Sequence, residues 1–77
     1  MTKRLSNWTF REVESFLKQN GFQLNYTNGS HFYYVGSCNG VLKNVCVPFH
    51  GNKTIKPRTL KGMILQSGIS QEKWFNS

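Results

Sequence analysis

Phe22-Gln23-Leu24-Asn25-Tyr26, then Thr27-Asn28-Gly29-Ser30, then His31-Phe32-Tyr33-Tyr34-Val35: the reading of this stretch decides the fold. Phe22, Leu24 and Tyr26 alternate with Gln23 and Asn25, which is the period of two of an extended strand. Four turn-forming residues interrupt that alternation, and a run of aromatic and β-branched side chains follows. Two strands joined by a tight turn are therefore expected. Gly36-Ser37-Cys38-Asn39-Gly40 reads as a second turn region, and Val41 to Val47 as a third strand. Pro48 ends the pairing because it has no backbone donor, and Phe49-His50-Gly51-Asn52-Lys53 reads as a loop.

The flanks of this meander read as helices. Thr9 can cap a helix N-terminus while Glu12, three residues on, reaches back to complete a capping box, with Trp8 and Val13 at the positions of a hydrophobic staple. Phe10, Val13, Phe16 and Leu17 fall on one helical face, and Asn20-Gly21 supplies the stop, giving a helix over about residues 10–20. Downstream, Pro57 suits the first turn of a second helix whose apolar stripe is Leu60, Met63 and Ile64 and whose end is Gly68. Gly62 weakens that helix, and Ser70 can cap a short last turn that docks Trp74 and Phe75. The expected order is α-β-β-β-α with an optional last helix. It makes an α+β fold, a small three-stranded antiparallel sheet with helices on one face and the other face open.

With 77 residues, 38% of them hydrophobic, the chain suffices for one small core, so residues 1–77 are expected to form a single domain. Ten Lys and Arg oppose three acids, for a formal net charge of +7. The acids are Glu12, Glu14 and Glu72, so the whole interval between Glu14 and Glu72 is cationic. Residues 1–40 hold four basic and two acidic side chains, residues 41–77 six and one, which concentrates the field in the C-terminal half. Such a field attracts polyanions and acidic proteins alike. Nothing approaches the roughly 20 apolar residues of a membrane helix, and Met1 to Asn7 leads into no signal-peptide apolar region, so a cytoplasmic protein with no membrane partner is expected. Cys38 and Cys46 are then expected to be reduced thiols.

Few residues offer chemistry. His31, at the entry to the second strand, is the best acid/base candidate, since an imidazole can take a proton from a ribose 2′-hydroxyl or give one to a leaving 5′-oxygen. By position alone the plainer reading, a side chain that merely caps the strand end, is favoured over a catalytic one. Lys53, Lys56, Arg58 and Lys61 span the last loop and the start of the second helix, where they either hold phosphates or form a solvated basic face; the missing carboxylates favour anion binding. Tyr33 shares a strand face with His31 while Phe32 and Tyr34 point the other way. If the latter two pack under the helices, His31 and Tyr33 occupy the open face, where a tyrosine can stack on a base. A zinc site from His31, Cys38, Cys46 and His50 lacks a close Cys-x-x-Cys pair, so no metal and no cofactor are expected; neither thiol has a nucleophile motif, and clustered acids for two-carboxylate hydrolysis are missing.

Taken in order, Gly21-Phe22, Gly29-Ser30-His31, Val45 through Pro48-Phe49-His50-Gly51-Asn52-Lys53, and Thr59-Leu60 through Ile64-Leu65 to Gly68-Ile69 closely resemble the HicA family of toxin mRNA interferases, over about residues 8–70. The resemblance implies a fold like the double-stranded RNA-binding domain, metal-independent mRNA cleavage by the histidine that matches His31, and inhibition by a HicB-type antitoxin. On that reading Ser30, Tyr33, His50, Lys53, Lys56, Arg58 and Lys61 contact RNA, with His50 in a loop or positioning role. Arg58-Thr59-Leu60 departs from the family's usual Gly-Thr-Leu, and Gly62 replaces a long polar residue. Two other functions stay open at this stage: a non-catalytic RNA-binding module, and a basic interaction domain for an acidic protein.

Overall fold

The computed structural model describes residues 8–51 and 53–76. The expectation about Met1 to Asn7 therefore lies outside the described residues, as does Asn52 of the loop. The chain runs α1 (Phe10–Gln19), β1 (Gln23–Asn28), β2 (His31–Cys38), β3 (Val41–Pro48), α2 (Pro57–Ser67) and α3 (Gln71–Phe75). The three strands form one antiparallel sheet in the order β1-β2-β3. This is the α+β arrangement expected from the sequence, with the element order of a double-stranded RNA-binding domain.

Both ends of α1 follow their local chemistry. Glu12 N–H donates to Thr9 Oγ1 at 3.3 Å and Thr9 N–H donates to Glu12 Oε1 at 3.0 Å, so the capping box is formed. At the other end Gly21 has φ +86°, Phe22 N–H donates to the Leu17 carbonyl at 2.9 Å, and Gly21 N–H donates to that of Lys18 at 3.2 Å. That pair of bonds is a Schellman closure, and it turns the chain back toward the sheet.

The core gathers the buried face of α1 (Phe10, Val13, Phe16, Leu17), the helix-facing strand residues Tyr34, Val45 and Val47, and Leu60, Met63 and Ile64 of α2. Trp74 joins it from α3, its ring 4.2 Å from that of Phe16 and 5.4 Å from that of Trp8. Ser67 is buried and fully used: its hydroxyl donates to the Ile64 carbonyl and accepts from Ile69 N–H and Trp74 Nε1–H. That hub fixes α3 to the end of α2.

The structure differs from the sequence reading at several places in the sheet. Thr27 and Asn28, read as turn residues, belong to β1 and pair with Phe32 and His31, leaving Gly29-Ser30 as the turn. Pro48, read as ending the pairing, is the last residue of β3, opposite His31. β2 runs on through Gly36, Ser37 and Cys38, and the turn is Asn39-Gly40 alone, with φ +54° and +79°. Positive φ at both positions is what an Asn-Gly hairpin turn requires. Gly36, read as a turn residue, is a strand residue beneath the Phe22 ring, where an added Cβ would lie 2.6 Å from the ring. Close approach, not turning, is the reason for glycine there. In β1, a bulge between Leu24 and Tyr26 breaks the strict alternation: Leu24 pairs with Tyr34, but Tyr26 pairs with Tyr33. The extra residue moves Tyr26 to the face opposite the helices.

Candidate functional site

The register of β2 against β3 builds the open face. His31 pairs with Pro48, Tyr33 with Cys46, Val35 with Asn44 and Ser37 with Leu42, and these side chains point away from the helices because their neighbours Phe32, Tyr34, Val45 and Val47 pack toward them. The β1–β2 turn, Gly29-Ser30, has positive φ at Gly29 only and delivers His31 directly to the first position of β2. His31 is exposed there.

The segment after β3 is held against this end of the sheet at several points. Phe49 N–H donates to the Ser30 carbonyl at 2.8 Å, and the Phe49 ring lies 5.0 Å from Phe10 and 5.8 Å from Phe32. Lys53 N–H donates to the His50 carbonyl at 3.3 Å. Ile55 is buried and its N–H donates to the Trp8 carbonyl at 2.6 Å, next to a bridge between Thr54 and Thr9. Anchored in this way, the segment walls a groove of about 630 Å³ between the open end of the sheet and α2. His31, His50, Lys53 and Lys56 line it, with Thr59 and Gln66 on the α2 side, and no carboxylate does.

Gln66 and the start of α2 complete the wall. Gln66 Oε1 accepts from Cys46 N–H at 3.2 Å, which satisfies a backbone donor on the outer edge of β3. Lys56 is the N-cap residue of α2 without a side-chain cap bond, Pro57 follows, and no acid stands in the first turn. Helix geometry leaves the Arg58 and Thr59 N–H groups without intrahelical acceptors, so positive potential collects beside Lys56.

Of the residues singled out from sequence, the groove brings together His31, His50, Lys53 and Lys56. Arg58 and Lys61 are exposed on α2 and do not line it. Ser30 contributes its carbonyl to the Phe49 bond. Tyr33, half-buried, stacks on Tyr26 with ring centroids 4.5 Å apart and planes 13° apart, outside the groove. The Cys46 thiol beside the Tyr33 hydroxyl raises that phenol above its ordinary value. Among the described residues no group of three or more His, Cys, Asp or Glu side chains could hold a metal ion, and no helix is long and apolar enough to cross a membrane.

Sequence reasoning missed Gln66, Thr59 and Tyr26 as parts of this region. Gln66 matters only because α2 lies along β3, which no local pattern encodes. The bulge that redirects Tyr26 likewise has no signature beyond Asn25.

The family model described as the HicA toxin of bacterial toxin-antitoxin systems matches residues 10–69, from the first residue of α1 to just past α2. Searches of the curated proteins and of the solved structures returned no match. A match over most of the chain, together with the α-β-β-β-α architecture, places this protein in the HicA toxin family of bacterial toxin-antitoxin systems, whose members act with an antitoxin partner.

Proposed function

We propose that this toxin is a metal-independent endoribonuclease that cleaves mRNA in the cytoplasm and is held inactive by a HicB-type antitoxin. The observation that carries the reading is the groove itself, where both histidines and two lysines converge with no carboxylate among them. His31 removes the proton from a ribose 2′-hydroxyl, whose oxygen attacks the adjacent phosphorus. The 5′-oxygen leaves with a proton from a second donor, so the products carry a 2′,3′-cyclic phosphate and a 5′-hydroxyl. One imidazole cannot serve as base and acid at once. His50 lines the groove with His31 while Tyr33 does not, which favours His50 as the second proton carrier. Lys53, Lys56 and the start of α2 hold the phosphates, and Arg58 and Lys61 add longer-range attraction.

The test compares wild type with His31→Ala on RNA in excess chelator, with RNA binding measured separately. Cleavage is expected to fall by about 10²- to 10⁴-fold, the usual loss for a general acid–base group, while binding persists. Equal cleavage by both proteins would overturn the role of His31. A DNA strand cut as fast as RNA would overturn the 2′-hydroxyl route.

A further inference from the structure

The open face of the sheet is chemically unlike the rest of this molecule. In a chain of net charge +7, the side chains pointing away from the helices, from Tyr26 on β1 to Leu42 on β3, include no Lys, Arg, Asp or Glu. At its centre the Tyr26 and Tyr33 rings lie parallel and in contact, with Tyr26 54% exposed on the edge strand. Tyr33 is two residues from His31 on the same strand, about 7 Å along it at the usual rise per residue. Tyr26 reaches this face only because the bulge breaks the alternation of β1. Bulges recur beside functional sites, where they re-aim a side chain.

From this arrangement we propose that the Tyr26–Tyr33 stack is a nucleobase platform: an unpaired base next to the scissile phosphate stacks on the exposed face of Tyr26 while its backbone continues into the groove at His31. The inference rests on the ribonuclease reading and gives its substrate class, RNA that is single-stranded at the cleavage point. An uncharged aromatic surface matches the π-face of a base and not a phosphate backbone, whereas the lysines in the groove match the backbone. Duplex RNA keeps its bases inside the helix and offers phosphates and 2′-hydroxyls, for which this face has no cationic partner. The two surfaces meet at His31, so one strand can use both.

The experiment uses the full chain with His31→Ala as a non-cleaving background, adding Tyr26→Phe or Tyr26→Leu. The probes are a single-stranded RNA carrying one 2-aminopurine, moved position by position, and the same RNA annealed to its complement. Binding is read by stopped flow, before turnover. The Tyr26 side chain is 54% exposed, so thermal unfolding of both variants is expected to match the background protein. Fluorescence quenching at one position is expected with Tyr26 and with Tyr26→Phe, and its loss with Tyr26→Leu, together with a roughly 5- to 150-fold weaker affinity for the single strand, the span of one lost base stack. Quenching and affinity unchanged in Tyr26→Leu, or duplex bound as tightly as single strand, would overturn the platform while leaving the ribonuclease reading intact if wild type still cleaves. RNA neither bound nor cleaved by wild type would overturn both.

Discussion

Tyr33 and Tyr34 are neighbours with opposite fates. Tyr33 stands on the open face, whereas Tyr34 is fully buried under the helices with its hydroxyl donating to the Glu14 carboxylate, which also meets Lys18 at 3.7 Å. Burial, and then the Glu14 carboxylate, push the Tyr34 phenol well above its ordinary value. An acid whose folded pKa is raised contributes stability that is complete below the unfolded value, about 10, and is lost as pH climbs through the folded value. Denaturant unfolding of wild type and Tyr34→Phe from about pH 8 to about pH 11 tests this. Wild type is expected to keep its stability advantage over the variant up to about pH 10 and to begin losing it above that. A constant difference would show that Tyr34 does not titrate on unfolding. Of the two tyrosines, only Tyr33 was a site candidate by sequence, and strand alternation separated them correctly once the core face was known.

At the scale of elements, two glycines inside regular structure invite opposite expectations. Gly36 in β2 lies beneath the Phe22 ring, so Gly36→Ala forces the ring or the strand to shift and is expected to destabilise by about 1–3 kcal/mol. Gly62 in α2 has no atom within 4 Å of where a Cβ would sit apart from its chain neighbours and its own helix backbone, so Gly62→Ala is expected to stabilise by about 0.8–1.0 kcal/mol through helix propensity. Midpoints of urea unfolding compare the two, and shifts of the same sign would contradict the packing described. The helix ends, by contrast, were legible residue by residue. Thr9, Glu12 and Gly21 act within four residues of one another's partners, so local pattern suffices for them.

Across the whole molecule, charge is sorted by tertiary position. Two of the three acids lie on α1, where Glu12 is engaged by Thr9 and Glu14 by Tyr34 and Lys18, and none of the three lines the groove. RNA binding is accordingly expected to weaken linearly in log–log form as salt rises, by about 0.7 in slope for each phosphate neutralised on a single strand. Replacing Lys53 and Lys56 together by Ala is expected to flatten that slope by about 1.4, and replacing Arg58 and Lys61 together to flatten it less, since only the first pair lines the groove. Affinities measured from about 50 to 200 mM salt check this, and equal slopes for the two pairs would remove the distinction.

What the sequence determined by itself was whatever depends on neighbours along the chain: the capping of α1, the period-two strands, proline opening α2, the Ser70 cap, and the resemblance carried by Gly29-Ser30-His31 and the segment ending in His50 and Lys53. Only the tertiary structure decided which of the candidates meet. His31 and His50 are 19 positions apart, and they share a groove because Phe49 bonds to Ser30 and Ile55 to Trp8. Gln66 became part of the site by lying along β3, Gly36 proved to be a seat for Phe22, and a bulge turned Tyr26 to the open face. Each of these depends on contacts between residues remote in sequence, whose energies arise from packing and edge hydrogen bonds rather than from local propensity.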